Sequence, residues 1–372
     1  MRISGGRVFE LDNGFVSRDV YFDGEVIADS CADNEVYDAA GCYVIPGLTD
    51  LHFHGCMGAD VSDGDADGLE TMAKYELSRG VTQICPAGMT LLEEQLIKVC
   101  SVAAEHRDAG KPGAELVGIN LEGPFLSMAK KGAQNGEWLH APDVAMFRRI
   151  AEAGRGLVKL VSIAPEEPGA MEFIDELKDE VTISLAHTTA DYDTALEAYK
   201  RGARETTHLF NAMPPFSHRA PGVVGAAFDS PACNVELICD GIHIHPSVVR
   251  AVFKMFGPER VILISDTMRA AGMPDGDYTL GGQAVKVNGK LATLVDGTIA
   301  GSVTDLMSCM CTAVGFGIPL ADAVRAAAVN PARVLGIFDR VGTLDAGKTA
   351  NAVVLDENLD VKAVFFHGKI VE

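Results

Sequence analysis

The chain has 372 residues, 48% of them hydrophobic, so it can bury a large core and does not read as a disordered polymer. Its 52 Asp and Glu outnumber 31 Lys and Arg, a formal net charge of −21 that repels phosphate backbones and anionic lipid heads. Neither nucleic acid nor a membrane is expected as a partner, although a small anion can be held where local donors reverse the field.

In residues 1–46, short β-branched runs such as Asp19-Val20-Tyr21-Phe22 and Gly24-Glu25-Val26-Ile27 alternate with turn residues, which predicts short strands. The opening residues lack the apolar stretch of a signal peptide, and no apolar run reaches the ~18 residues that span a bilayer. The nine cysteines are scattered and read as reduced residues of a cytoplasmic protein. Residues 340–372 have the same strand-and-turn texture as the start. Neither end can bury a core alone, so both are expected to form one small β-sandwich.

Between them, residues 47–339 alternate apolar runs with helical patterns. The runs fall at 43–49, 81–85, 116–121, 158–163, 181–186, 205–210, 235–239 and 261–265; helical periodicity appears at 66–79, 90–109, 191–201 and 246–256, and again at 304–315 and 319–335. Eight buried strands with intervening helices predict an α/β fold, a (β/α)8 TIM-like barrel. The competing doubly wound sheet would call for a glycine-rich nucleotide loop after its first strand, and none is present. Residues 275–303 are Gly-rich and β-branched, and are predicted to be hairpins inserted after strand eight. Cys309 and Cys311 fall in an apolar helical stretch and read as packing residues, not as a metal pair.

Polar residues stand where these runs end. His52 and His54 follow strand one, Glu122 ends strand three, His187 ends strand five, His208 lies in strand six and Asp266 ends strand eight. Barrel active sites lie at this C-terminal mouth, so the six groups are expected to converge. Two histidines two apart in an extended segment face the same way. Taken alone they are an incidental pair near a turn; with the other four they predict a divalent-metal site, zinc foremost, with room for a second ion bridged by Glu122. Asp266 then serves either as a proton-transferring carboxylate or, more blandly, as a turn cap. Asn211-Ala212, Arg219 and His243 form a second cluster suited to an anion.

The blocks Pro46-Gly47-Leu48-Thr49-Asp50-Leu51-His52-Phe53-His54, Leu121-Glu122-Gly123-Pro124-Phe125, His208-Leu209-Phe210-Asn211-Ala212-Met213 and Ser265-Asp266-Thr267-Met268 resemble the amidohydrolase superfamily. Within it they resemble the N-acetylglucosamine-6-phosphate deacetylase family. The resemblance implies Glu122, His187 and His208 as principal metal ligands, and His52 and His54 as ligands of a second ion near Asp266. One or two Zn2+ ions per subunit are implied, with Fe2+, Mn2+ or Co2+ as substitutes. Asp266 is implied as catalytic base and acid, with His243 also near the reacting amide. Asn211, Ala212, Arg219 and His243 would hold the sugar phosphate, and a homodimer is implied, with a phosphate ligand able to come from the neighbouring subunit. Gln134 stands where some relatives have a substrate-binding histidine. Arg269 brings a long cation near the mouth, where it could tighten phosphate binding or alter which hexosamine epimer fits.

The expected reaction is hydrolysis of N-acetyl-D-glucosamine 6-phosphate to D-glucosamine 6-phosphate and acetate by a metal-bound hydroxide. The rival substrates are the galactosamine epimer and N-acyl amino acids. A binding protein on a catalytically dead barrel is the rival class.

Overall fold

The computed structural model of the protein describes residues 1–33 and 35–371. Eight strands form the barrel wall: β1 Leu48–Asp50, β2 Val81–Ile84, β3 Ile119–Leu121, β4 Val158–Ile163, β5 Thr182–Leu185, β6 Glu205–Thr206, β7 Asn234–Ile238 and β8 Val261–Ile264. Neighbours pair in parallel from β1 to β2 and from β3 through β8. Between β2 and β3 the wall is broken into pieces: Glu115–Leu116 pairs with β2, and Ala87–Gly88 pairs with β3. The ring closes at its mouth, where Asp266 N–H donates to the His52 carbonyl at 3.0 Å and His54 N–H donates to the Thr267 carbonyl at 2.7 Å. Two of the histidine- and aspartate-bearing segments are thus held together by backbone before any side chain acts.

The wall strands are short and almost wholly buried, as in β8 Val-Ile-Leu-Ile, because helices cover them outside and side chains fill them inside. Aspartates start several of the covering helices. Asp65, Asp143 and Asp305 accept N–H groups of the first turns of helices 66–78, 144–153 and 306–315, so the acidic excess is partly used at helix N-termini, where it is favourable. The helix Val144–Ala153 buries Met146, Phe147 and Ile150 on one stripe against the wall. Cys309 is buried in helix 306–315.

Two sheets stand beside the barrel. One has six strands, in the order 369–370, 361–366, 352–355, 43–46, 7–10 and 14–17; the other has four, in the order 26–28, 20–23, 2–4 and 36–38. Val44 lies opposite Val354 in the six-stranded sheet, joining the two chain ends. Phe22 of one sheet meets Phe365 of the other edge-on, 5.6 Å between ring centroids, within a core of Ile3, Val8, Val20, Val44 and Val354.

The apolar run 43–49 is not one strand. Tyr43–Pro46 belongs to the sandwich, and the wall begins at Leu48. The break has a steric cause: a Cβ on Gly47 would lie 2.0 Å from Thr82 Oγ1, so only glycine lets the chain cross against β2 there. The run 205–210 is also shorter than read, ending at Thr206 because His208 and Phe210 adopt left-handed backbone. Residues 276–280, 283–288 and 291–294 form a three-stranded antiparallel sheet turning at Gly281-Gly282, with its own small core of Leu280, Val285, Val287 and Ala292. Among the described residues no helix is long and apolar enough to cross a membrane.

Candidate active site

The barrel mouth opens into a cavity of about 380 Å³ lined by His54, Glu122, Lys130, Gln134, His187, His208, Asn211, Ala212, His243 and Asp266, with Leu280, Thr298 and Ile299 of the inserted region as one wall. His52 lies directly behind, fully buried. Four of these residues have left-handed backbone: His187 (φ 42°), His208 (φ 30°), Ala212 (φ 51°) and Asp266 (φ 50°). Non-glycine residues adopt this region at a cost, and such strain concentrates where side chains must be aimed for chemistry.

Glu122 sits at the centre. Its Oε1 lies 3.0 Å from His187 Nε2 and 2.9 Å from His208 Nε2, and those two nitrogens are 3.1 Å apart. Its Oε2 lies 3.4 Å from His54 Nε2, which in turn is 3.2 Å from Asp266 Oδ1. His52 Nε2 is 3.7 Å from Glu122 Oε1 and 3.9 Å from Asp266 Oδ1. Two triads of metal-type groups result, His52–His54–Asp266 and Glu122–His187–His208, each with its ligand atoms within 4.8 Å of one another.

The histidines are set from behind. His54 Nδ1 donates to the Ala87 carbonyl and His187 Nδ1 to the Lys130 carbonyl, each at 2.8 Å. A carbonyl can only accept, so both rings carry a proton on Nδ1 and turn Nε2 into the site. His52 Nδ1 is 2.8 Å from Glu236 Oε2, and its Nε2 is buried with no hydrogen-bond partner. That orphaned nitrogen, beside two carboxylates, and the close approach of His187 and His208 nitrogens fit a divalent metal ion at this mouth.

Electrostatics match the geometry. Burial alone would raise the Glu122 carboxyl, but the charge and hydrogen bonds of His187 and His208 override it and hold Glu122 well below the usual range. Burial likewise opposes ionisation of Asp266, and the His54 hydrogen bond lowers it nonetheless. Burial disfavours charge on His54 too, yet Asp266 and Glu122 hold it up at about 10. His52 is depressed, chiefly by burial. Deep in the wall, burial pushes Glu236 up to about 8 and, with the charge of Glu236 beside it, Glu205 well above the usual range.

The second cluster divides. Asn211 and Ala212 line the cavity, and Asn211 Nδ2 donates to the His208 carbonyl at 3.1 Å. His243 also lines it; its Nδ1 donates to Asp240 Oδ2 at 2.7 Å, which frees Nε2 for a ligand. Arg219 is not among the cavity residues. It lines a neighbouring cleft with Thr189, Asp191, Tyr192 and Pro214, because the Pro214–Pro221 loop carries it away from the mouth. Gln134 is in the wall, but its amide is engaged at both ends: Nε2 donates to Glu122 Oε2 at 2.6 Å and Oε1 accepts the Thr90 N–H at 2.7 Å. It lines the cavity while bonded to Glu122. Arg269 does not line the cavity either; its guanidinium pairs with Asp63 at 2.9 Å and Asp60 at 3.5 Å.

Lys130 and Glu236 are absent from the sequence reading. Lys130 lies four residues before Gln134 in Lys130-Lys131-Gly132-Ala133-Gln134, and the adjoining lysine gave no reason to prefer either. Glu236 did carry a signal: a carboxylate in the middle of the apolar run Val235-Glu236-Leu237-Ile238 must have a partner.

A parallel barrel with carboxylates and imidazoles gathered from its strand ends around a strand-eight aspartate defines a metal-dependent hydrolase. Residues 43–371 match the model of the Amidohydrolase family, and the chain belongs to that family, as a hydrolase acting on an amide. It is 39% identical to the N-acetylglucosamine-6-phosphate deacetylase of Bacillus subtilis (strain 168) over 90% of this chain and 86% of that one. It is also 33% identical to the N-acetylgalactosamine-6-phosphate deacetylase of Escherichia coli O157:H7, over 87% of this chain and 86% of that protein. Among solved structures, a mutant N-acetyl-D-glucosamine-6-phosphate deacetylase from Mycobacterium smegmatis, in complex with N-acetyl-D-glucosamine-6-phosphate, superposes with a TM-score of 0.93. It is 33% identical, and the match covers 100% of this chain and 98% of that one.

Proposed function

We propose that this enzyme hydrolyses N-acetyl-D-glucosamine 6-phosphate to D-glucosamine 6-phosphate and acetate. The observation that carries the reading is the juxtaposition, in one cavity, of Asp266, the Glu122–His187–His208 triad, and the separate polar pair Asn211 and His243. The similarity of the whole chain to glucosamine deacetylases supports the choice of sugar.

His187, His208 and Glu122 would hold a first ion, and His52, His54 and Asp266 a second, with Glu122 between them; zinc suits this imidazole and carboxylate set. When bound, the metal supplies Lewis-acid chemistry, lowering the pKa of water and polarising the acetyl carbonyl. Asp266, kept ionised by its neighbours, accepts the proton of the attacking water as its oxygen bonds to the acetyl carbon. It then passes that proton to the departing nitrogen as the C–N bond breaks, leaving acetate and a free amine. His243 Nε2 and Asn211 bind the sugar phosphate and orient the acetamido group, so that remote binding energy positions the reacting bond. The inserted region, through Leu280 and Ile299, excludes water from one side.

Arg219 fits this scheme as a residue that completes the cavity of a second subunit in a homodimer, given its cleft beside the mouth. We assign residues 1–46 and 340–372 to the sandwich, residues 47–339 to the catalytic barrel with 275–303 inserted, and the cytoplasm as the working compartment. The test is kcat/KM on N-acetylglucosamine 6-phosphate, its galactosamine epimer, unphosphorylated N-acetylglucosamine and N-acetyl amino acids. Loss of the phosphate should cost at least about a hundredfold, about 2.7 kcal/mol. Equal efficiency without it defeats the phosphate reading, and preference for the epimer overturns the sugar.

A further inference from the structure

Behind the metal-type groups, one carboxylate touches both triads. Glu236 lies in β7, fully buried, and is not itself a member of either triad. Its Oε2 stands 2.8 Å from His52 Nδ1 and accepts the His208 backbone N–H at 3.1 Å. Its own carbonyl accepts the Leu209 N–H at 2.9 Å.

We propose that Glu236 is a positioning residue for the paired metal site: it aims His52 Nε2 into one triad while pinning the backbone that carries His208 into the other. The inference rests on the metal reading above and deepens it.

Three observations carry it. His54 and His187 each have a carbonyl behind Nδ1, a fixed acceptor that turns Nε2 into the site. His52 has no such carbonyl; Glu236 Oε2 stands in that place at the same 2.8 Å. His208 is the odd member: its Nδ1 is buried without a hydrogen-bond partner, so nothing behind the ring sets it. What holds His208 is its backbone, in a left-handed conformation with φ 30°, and the N–H of that residue is the one that Glu236 accepts. Burying a carboxyl in an apolar strand is unfavourable, and an apolar residue of the same size would fill the wall as well. Outer partners of ligating histidines typically change metal affinity 10–100-fold when removed.

The experiment is zinc binding to the full chain, stripped of metal and titrated against a competing chelator, with stoichiometry by elemental analysis. Glu236→Met removes the acceptor and keeps the volume. Both zinc equivalents should weaken, the second by about 10–100-fold, while the thermal unfolding of the metal-free protein stays at or above that of wild type. Glu236→Gln keeps an oxygen for both donors and should restore most of the affinity. A residue that merely supports the fold would shift unfolding and leave the zinc titration alone. Wild-type affinity for both equivalents in Glu236→Met overturns the role of Glu236 and leaves the paired site standing. Uptake of one equivalent by wild type overturns the paired site itself, and the proposal with it. Should Glu236→Met fail to fold, nitrogen-15 NMR of histidine-labelled wild type decides, with His52→Ala assigning the resonance. A His52 ring protonated on Nδ1 supports the proposal, and one bare at Nδ1 overturns it.

Discussion

Asp266 Oδ1 lies 3.2 Å from His54 Nε2, close enough for a carboxylate to serve both as a metal-type group and as a proton carrier. Asp266→Asn keeps the shape and removes the proton acceptor, so kcat should fall by about 10²–10⁴-fold while the ion at Glu122, His187 and His208 is retained, read by steady-state kinetics beside elemental analysis. Asp240 and His243 offer a pH test. Burial opposes both charges, but their mutual hydrogen bond lowers the Asp240 pKa and raises that of His243. The aspartate's contribution to stability is present above its unfolded pKa of about 3.9 and is lost as pH falls through the lower folded value. The histidine's contribution is complete below about 6.5 and is lost as pH rises through the higher folded value. The stability difference between wild type and Asp240→Asn, measured by urea unfolding, should therefore peak between about pH 4 and 6.5 and shrink on both sides. A flat difference would show that the pair is not coupled. At this scale the ligand-type residues were legible because each is polar at the end of an apolar run. The bonding partners of Gln134 and Arg269 were not, since Glu122 with Thr90 and Asp60 with Asp63 are brought to them by packing.

Elements place these side chains by two devices, the strand end and the cap. Asp143 accepts the Met146 N–H at 2.9 Å at the start of helix 144–153, far from the chemistry. Asp143→Ala should cost about 1 kcal/mol in urea unfolding and leave kcat/KM unchanged; a loss of activity would mean the helix transmits strain to the mouth. The inserted sheet works differently, because Leu280 packs with Val285, Met89 and Met268 while also walling the cavity. Leu280→Ala removes a buried side chain and should cost about 2–5 kcal/mol locally, and KM should rise more than kcat falls. The run 43–49 marks the limit of reading elements from apolarity: the division between residues 46 and 47 was legible, but a continuous apolar stretch gave no sign of the steric reason for it, because the obstacle, Thr82, is 35 positions away from Gly47.

At the scale of the molecule, Glu122 ties together strand ends three, five and six, and with Asp266 the closure between β1 and β8. An ion that binds only the folded protein stabilises it by mass action, about 2.7 kcal/mol at a hundredfold excess over Kd. Chelation should therefore lower the unfolding temperature, zinc should restore it, and Glu122→Gln should abolish most of the zinc-dependent shift in a calorimeter. The sequence by itself determined the alternation of buried strands and amphipathic helices, hence the barrel, since apolar periodicity is a local property that burial on both faces imposes. It determined equally that polar groups stand at strand ends, because only there does a parallel barrel expose side chains to a common space. Which of those groups meet was decided by the tertiary structure: Arg219 lies in its own cleft, and Glu236 reaches both His52 and His208 across the closed wall. Closure brings residues 184 positions apart to 2.8 Å, as with His52 and Glu236, and no spacing along the chain encodes a distance across a ring.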